Sequence, residues 1–211
     1  MPGRRRQRRT DRSKLDATPP WEQRIRDDPE PTVGPFDERD APDDEVPRVD
    51  LGALRIPVRD GFDIRVDVDE SQQVVSATLA GVDGTMQLGV FAAPRNEGIW
   101  DDVRDEIAAS LNAQRKAGTT EKDGEFGVEL HGTVRGEGGS VPVRFIGVDG
   151  PRWFLRAMLA GPAAVDAEKA KVFEDALRDV IVVRGTAPLP VREPVPLQLP
   201  TGVELPDNFG Q

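Results

Sequence analysis

The sequence predicts an α+β fold in which an antiparallel sheet of about six strands has helices on both faces, an α/β/α sandwich. Three observations support this prediction. Segments of alternating apolar and polar residues occur in two groups of three, a proline and then an amphipathic helical segment follow each group, and one strand is apolar on both sides. A strand that is apolar on both sides must be covered on both sides. The strand-strand-strand-helix pattern is thus used twice.

The first group begins with FDIRVDVD (62–69), which alternates as a half-buried strand does. VVSATLA (74–80) and TMQLGVFAA (85–93) follow, and the tetrapeptide GVDG at 81–84 separates them. An Asp-Gly pair between two alternating segments indicates a hairpin turn, because these residues tolerate the positive φ that such turns need. Pro94 ends the third strand, and apolar residues from Ile99 onward recur at helical spacing over about five turns.

The second group repeats this order. FGVELHGTV (126–134), VPVRFIGV (141–148) and RWFLRAMLA (152–160) are the predicted strands. Between them, GEGGS (136–140) is predicted to be a loop, and a second GVDG at 147–150 is predicted to be a hairpin turn equivalent to the first. Pro162 ends the last strand. Asp166 is a suitable N-cap for a second helix, whose apolar residues from Phe173 to Ile181 line one face.

Charge and proline content set the flanks apart from the predicted folded domain, residues 51–185. Residues 1–15 contain seven basic residues and one acid, and residues 16–50 contain twelve acids and four arginines. Such segments lack the apolar content that offsets the entropy of folding, so residues 1–50 are predicted to be a disordered arm, basic and then acidic. Residues 186–211 are rich in proline and are predicted to be an extended tail, with a strap along the domain as the favoured arrangement.

The composition restricts the compartment and the kinds of site. The chain has no cysteine, which excludes disulfides and thiolate metal sites and favours a reducing compartment. No segment approaches the roughly 18 apolar residues of a membrane span, and no apolar region follows the N-terminal arginines as it would in a signal peptide. We therefore expect an acidic cytoplasmic protein, of net charge -10, without a membrane span.

No complete catalytic, cofactor-binding or metal-binding motif is present, so the sequence predicts none of these sites. His131 is the only histidine. It alternates with Glu129 and Thr133 on the polar face of a strand, which favours a surface or half-covered residue over a catalytic base. No G-x-S-x-G or phosphate-binding glycine motif accompanies it.

Two groups of acids deserve comparison with known carboxylate sites. The run from Asp67 to Ser71 has the oxygen spacing that opens a calcium loop, but Gln72 stands where such a loop needs glycine. Four acids, at positions 101, 102, 105 and 106, lie near the start of the first predicted helix. The helix dipole favours acids there, so a solvated helix face is the preferred interpretation and a two-carboxylate site is the alternative.

The remaining candidates are residues that would contact a partner. Arginine and tryptophan are typical of interaction hot spots, and both types are concentrated in and around the last predicted strand. The favoured interpretation is nevertheless that the tryptophans are core residues and the arginines extend from strand faces. The residues concerned are Trp100, Arg144, Arg152, Trp153 and Arg156, of which Arg152 and Trp153 are the leading candidates.

The N-terminal arm offers a second set of candidate contacts. Arg4, Arg5, Arg6, Arg8 and Arg9 could bind nucleic acid or an anionic membrane surface, or could serve as a solubilising tail. Within the acidic part of the arm, Trp21 could be a docking anchor or could pack back onto the domain.

Two resemblances can be stated from the segments quoted above. The first predicted helix, together with FGVELHGTV, VPVRFIGVDGPRWFLRAMLAG and AEKAKVFEDALRDVIVV, resembles the PsbP-like fold over residues 99–183. GPFDERDAPDDEVPRVDLGALRIP together with VRFIGVDGPRWFLRAMLAG resembles an actinobacterial family of unknown function, over residues 34–200. The second resemblance implies a cytoplasmic actinobacterial protein and supplies no catalytic residues. PsbP-like proteins are mostly binding or assembly factors, although a shared fold does not transfer a function.

From these observations we expect a non-enzymatic binding or adaptor protein that acts on an unknown protein partner. Two alternatives stay open. The chain could be associated with nucleic acid through its arginine-rich arm, or it could be an enzyme with an unrecognised carboxylate site. The sequence does not predict the oligomeric state.

Overall fold

The part of the chain that the structure describes contains more strand than helix. This computed structural model describes residues 34–69, 71, 73–115, 118–136 and 138–200. The helices are α1 (Trp100–Arg115) and α2 (Ala167–Arg178), and a 3-10 helix spans Pro162–Ala164. The strands, in chain order, are β1 (Phe36–Asp37), β2 (Arg48–Asp50), β3 (Leu54–Pro57), β4 (Asp63–Val68), β5 (Val74–Gly81), β6 (Gly84–Ala92), β7 (Thr120–Gly124), β8 (Gly127–Gly136), β9 (Gly139–Gly150), β10 (Trp153–Ala160) and β11 (Ile181–Val182).

The strands form two sheets. The main sheet is antiparallel and has seven strands in the order β4-β5-β6-β10-β9-β8-β7. The small sheet has the order β1-β11-β3-β2, and only its β1-β11 pair is parallel. The predicted antiparallel sheet is therefore confirmed, with seven strands instead of about six. The predicted α/β/α sandwich was too simple, because the second sheet was not foreseen and the described chain is mainly β.

Both faces of the central strand β10 are apolar, as predicted, because its alternate residues enter two different hydrophobic clusters. Trp153 and Leu155 belong to a cluster that also contains Phe173 of α2 and residues of the small sheet. Phe154 belongs to a second cluster, which contains Trp100 and the apolar side of α1. Helix α2 begins as predicted, since the Asp166 carboxylate accepts hydrogen bonds from the first turn of the helix.

The two GVDG segments have different structures. The first is the predicted turn, because Gly81 pairs with Gly84 and the two residues between them connect β5 to β6. The second lies inside β9, so the prediction of an equivalent turn was wrong. The turn there is formed by Pro151 and Arg152, and the φ of Arg152 is 66°. Proline followed by a residue with positive φ is the pattern of a type II turn, which displaces the turn by three residues.

The second GVDG instead caps helix α1 and leaves space for the rings of two tryptophans. The carboxylate of Asp149 accepts hydrogen bonds from the backbone N–H groups of Ile99 and Trp100, at 2.8 and 3.3 Å, and so caps the start of α1. A Cβ on Gly147 would lie 2.2 Å from the Trp100 ring, and a Cβ on Gly150 would lie 2.1 Å from the Trp153 ring. Both glycines are needed because an aromatic ring occupies the place of a side chain.

Several strands lie outside the elements that the sequence predicted, among them β3 and β11, and Ile181 of β11 was wrongly predicted to belong to the second helix, which ends at Arg178. Strand β7 has the sequence TEKDG, which shows no alternation because it is an exposed edge strand. Strands β1 and β2 precede residue 51, where the folded domain was predicted to begin, so the folded part includes residues from at least 34 onward. These strands have only two and three residues, too few to show a period.

The C-terminal segment 190–199, which we call the strap, fills a gap in the main sheet. Strands β5 and β6 are paired only up to Ala77 and Leu88, and beyond that point the strap lies between them. The N–H of Val195 donates to the carbonyl of Val90 on β6, and the N–H of Leu197 donates to the carbonyl of Val74 on β5. Both strap side chains are buried in the cluster that contains α2.

No helix among the described residues is both long enough and apolar enough to cross a membrane.

Candidate binding face

Within the described residues, one area of the main sheet is not covered by a helix. Helix α1 packs mainly against β8 and β9, while most residues that project from the same face of β4, β5, β6 and β10 remain partly exposed. Directly paired residues of antiparallel strands share a face, which identifies the members of this area. We call it the open face, and it includes Arg65, Asp67, Ser76, Thr78, Gln87, Gly89, Phe91, Arg156 and Met158.

Arg156 lies between two glycines that aromatic rings cover. On β10 it is directly opposite Gly89 of β6 and Gly147 of β9. A Cβ on Gly89 would lie 3.3 Å from the Phe91 ring, so this ring folds over the glycine. The guanidinium carbon of Arg156 is 5.1 Å from the centroid of the Phe91 ring, a distance at which a cation is attracted by the aromatic face. Strand pairing therefore holds the guanidinium against Phe91.

Arg156 has no acidic partner in the part of the chain that the structure describes. Among the described residues it forms no salt bridge and no side-chain hydrogen bond, and burial lowers the pKa of its guanidinium. Arg144, on the neighbouring strand β9, differs because it forms ion pairs with Glu129 and Glu174. Since a guanidinium is planar and has five N–H donors, the unpaired group of Arg156 can bind a carboxylate through two parallel hydrogen bonds.

A hydrogen-bonded polar group occupies the other end of the open face. The Asp67 carboxylate accepts hydrogen bonds from the Ser76 and Thr78 hydroxyls at 2.6 and 3.0 Å, and from the Gln87 amide at 3.1 Å. Three strand spacings, about 14 Å, separate β4 from β10. The Asp67 carboxylate is thus too far from Arg156 to neutralise its charge directly, and Arg65 of β4 lies on the same face beside Asp67.

The carboxylates of the calcium-like run have local roles. Asp67 belongs to the polar group just described, and Asp69 accepts hydrogen bonds from the N–H groups of Ser71 and Gln73, which closes the turn between β4 and β5. Across the described ranges, no group of three or more histidine, aspartate or glutamate side chains is arranged to hold a metal ion.

Trp100 and Trp153 lie in the core. Trp153 is 2% exposed, and its indole nitrogen donates to Asp37 at 2.7 Å. Trp100 donates to the carbonyl of Val128 at 2.7 Å and stacks on Phe154. Neither ring offers a surface to a partner, which fits the core interpretation that the sequence left open. The other leading candidate, Arg152, lies in the turn between β9 and β10.

The predicted residues of the N-terminal arm lie outside the described part of the chain. These are Arg4, Arg5, Arg6, Arg8, Arg9 and Trp21.

His131 belongs to a buried ionic network on the opposite side of the sheet. Arg144 donates to Glu129 at 2.5 and 2.7 Å and to Glu174 of α2 at 2.6 Å, and the Nε2 atom of His131 is 3.6 Å from Glu129. Burial lowers the pKa of His131, and the charges of Lys122 and Arg144 lower it further, against an opposing effect of Glu129. The network links β8 and β9 to α2.

Three of the four acids near the start of α1 are paired with arginines. Asp101 accepts from Arg104, which also donates to Glu121 of β7, both at 2.8 Å. Asp102 and Glu106 form ion pairs with Arg192 of the strap. The predicted solvated face therefore also ties α1 to β7 and to the strap.

Sequence reasoning singled out Arg156 but missed the residues around it. The alternation of β6 could have placed Phe91 on one face of that strand. The opposition of Gly89 and Arg156 depends on how β6 and β10 pair, and 60 residues lie between those strands in the chain. The isolated segments carry no signal for that pairing.

Comparison with known proteins gives weak structural likenesses and a family. The solution structure of cyanobacterial PsbP (CyanoP) from Synechocystis sp. PCC 6803 is 12% identical with a TM-score of 0.41, and the match covers 65% of this chain and 92% of that one. A crystal structure from Bacteroides thetaiotaomicron VPI-5482 is 11% identical with a TM-score of 0.37, and that match covers 62% of this chain and 45% of the other. No curated protein matches the chain.

The family assignment rests on a match over most of the chain. A family model described as "Protein of unknown function (DUF3710)" matches residues 34–205. This match confirms the predicted resemblance to a family of unknown function, whereas the actinobacterial origin stays a prediction. The chain belongs to the DUF3710 family of proteins of unknown function.

Proposed function

We propose that this chain is a non-enzymatic binding protein, and that its open face receives an acidic side chain of a protein partner. The observation that carries the proposal is the guanidinium of Arg156, which is half-buried, stacked on Phe91 and not paired with an acid among the described residues. A partly desolvated charge without a counter-charge costs free energy, and a carboxylate supplied by a partner would offset that cost.

The surroundings of Arg156 support a protein partner. Phe91 and Met158 flank the guanidinium on the same face, and arginine, aromatic residues and methionine are enriched in protein interfaces. Three of the four acids of α1 that suggested a carboxylate enzyme form ion pairs with Arg104 or Arg192, and these are Asp101, Asp102 and Glu106. These observations favour a binding role over catalysis.

The proposal can be tested with synthetic peptides and three forms of the full-length protein. In an array of synthetic peptides, each peptide that contains Asp or Glu is accompanied by a counterpart in which Asn or Gln replaces the acid. The proteins are the wild type, Arg156→Gln and the control Arg135→Gln, which changes an exposed arginine on β8. Loss of one partner of a desolvated charge pair typically costs 2–5 kcal/mol, so Arg156→Gln should weaken binding to the acidic peptides at least about tenfold. Arg135→Gln should bind as the wild type does.

Two results would contradict this function. Acidic peptides and their amide counterparts could bind equally well, or Arg156→Gln could retain the wild-type affinity.

A second arm of the experiment tests the nucleic-acid alternative, which rests on the net charge of +6 over residues 1–15. Binding of DNA and RNA oligonucleotides that falls steeply with salt, and that is lost when residues 2–14 are deleted, would favour that alternative.

A further inference from the structure

Strand β4 is an outer strand of the main sheet, and its outer edge pairs with none of the described residues. The order of the sheet puts β4 at one end and β7 at the other. The backbone N–H and C=O groups of an outer edge are available to another strand, so proteins usually protect such edges with charges or keep them short.

The two edges of the main sheet differ in this respect. The residues of β7, TEKDG, include charges on both sides of the strand and are almost all exposed. Strand β4, DIRVDV, has one apolar side, whose residues Ile64, Val66 and Val68 are half-buried against the larger core cluster. Its other side carries Asp63 and Arg65, whose side chains are 79% and 67% exposed. An apolar strip at an unpaired edge favours the addition of a further strand.

The pairing of β5 identifies the residues of β4 whose backbone groups lie at the free edge. Gly81 and Gly84 close a two-residue hairpin and so form a hydrogen-bonded pair. Because hydrogen-bonded pairs alternate along antiparallel strands, every second residue of β5, counted back from Gly81, bonds to β6 and the residues between them bond to β4. The β4 partners of the latter are Asp63 and Arg65. Ile64 therefore directs its N–H and C=O groups to the free edge.

The charges on β4 complement those of a second copy of the same strand. When two β4 strands pair antiparallel with Ile64 opposite Ile64, Asp63 of each strand is opposite Arg65 of the other. Opposite charges at directly paired positions stabilise antiparallel strands. Within one chain these two side chains form only a loose ion pair, at 3.7 Å, so both are available for closer pairs across an interface.

Two neighbouring registers also place Ile64 at the interface but are less favourable. With Arg65 opposite Arg65, like charges would face each other. With Val66 opposite Val66, Arg65 would face Asp67, whose carboxylate already accepts hydrogen bonds from three side chains. That register would also extend to Val68, where the pairing of β4 with β5 is irregular.

We propose that the chain forms a two-fold symmetric dimer in which β4 pairs antiparallel with β4 of a second copy, with Ile64 on the two-fold axis. Ile64 exchanges both of its backbone hydrogen bonds with its counterpart, and both copies use the same surface. The pairing joins the two main sheets into one and brings the two open faces side by side. It does not depend on Arg156.

Sedimentation velocity of the full-length protein over a range of concentrations tests the dimer with two charge variants. Arg65→Asp places acids opposite acids, and Asp63→Arg places arginines opposite arginines. Each variant alone should therefore raise the dissociation constant of the dimer at least about tenfold. An equimolar mixture of the two variants has opposite charges at every pair, so it should form a heterodimer about as tightly as the wild type dimerises. Both positions are exposed, so both variants should fold.

Two further variants are controls. Arg135→Asp reverses the charge of an exposed arginine on β8, and Arg156→Gln changes the residue that carries the proposed function. Both should dimerise as the wild type does, so the dimer and the proposed function can fail separately.

Cysteine cross-linking tests the register, because the chain has no cysteine. Under mild oxidation Ile64→Cys should give a disulfide-linked dimer. Val66→Cys should not, since a disulfide requires Cα atoms within about 7 Å of each other.

Three results would overturn the proposal. The two charge variants could dimerise as the wild type does, or cross-linking could occur at Val66→Cys and not at Ile64→Cys. The wild type could also stay monomeric at every concentration, which would leave the edge of β4 to a different protein or to the termini of the chain itself.

Discussion

At the scale of single residues, the two arginines of the central strands show how surroundings decide what a charge does. Arg144 on β9 is paired with two glutamates, one of which, Glu129, is 2% exposed. Arg156 on β10 is next to an aromatic ring and pairs with no acid within the described ranges. Arg144 therefore satisfies buried groups of its own chain, whereas no described residue supplies a counter-charge to Arg156.

Opposite effects on stability are expected from the same substitution at these two positions. Arg144→Met would leave the Glu129 carboxylate buried without a counter-charge, so the free energy of unfolding should fall by about 3–5 kcal/mol. Arg156→Met removes an unpaired charge next to Phe91, so it should leave that free energy unchanged or raise it by about 1 kcal/mol. Urea unfolding of the purified variants measures both values. A loss of several kcal/mol for Arg156→Met would mean that this arginine has a structural role.

At the scale of elements, the sequence patterns predicted those strands and caps that are determined by residues close together in the chain. The alternation in β4, β5, β6, β8 and β9 was readable because one side of each strand differs in polarity from the other, and β10 was readable as a strand that is apolar on both sides. The N-cap at Asp166 was readable because its carboxylate bonds only to residues two and three positions later. Pairing across long chain separations was not readable, and the open face depends on it.

The second GVDG shows the same limit. Its letters match those of a true hairpin turn, yet its glycines lie under Trp100 and Trp153. That arrangement exists only once α1 and β10 have packed, so no rule based on four residues could have predicted it. Tertiary contacts here override a strong local turn signal.

The strap is expected to contribute to the free energy of unfolding of the protein. Val195 and Leu197 are 6% and 5% exposed and join the larger core cluster. Truncation of a buried aliphatic side chain to alanine costs about 2–5 kcal/mol for Leu and somewhat less for Val. We expect Leu197→Ala to lower the free energy of unfolding by at least about 2 kcal/mol. Val191→Ala, at an exposed strap position, should change it by less than about 0.5 kcal/mol.

A strap that lay only on the surface would give a different outcome. In that case Leu197→Ala and Val191→Ala would have the same small effect in chemical denaturation. A large effect of Leu197→Ala alone would show that the strap completes the main sheet between β5 and β6 in solution.

At the scale of the whole molecule, the ionic network around Arg144 joins helix α2 to strands β8 and β9. Glu129 and His131 come from β8, Arg144 from β9 and Glu174 from α2. Because these groups are buried or half-buried, a change in the charge of any of them changes the stability of the contact between helix α2 and the main sheet. Global stability should therefore respond to the titration of His131.

The sign of that response follows from the direction of the pKa shift. Burial, Lys122 and Arg144 lower the pKa of His131 in the folded protein below its ordinary value of 6.5. The unfolded chain therefore binds a proton at a higher pH than the folded chain does, and the free energy of unfolding falls as pH decreases through 6.5. Urea unfolding at pH 8 and pH 5.5 should show a smaller loss of stability in His131→Gln than in the wild type. Equal losses would mean that the proton bound by His131 does not oppose folding, and that the acid sensitivity of the protein comes from its carboxylates.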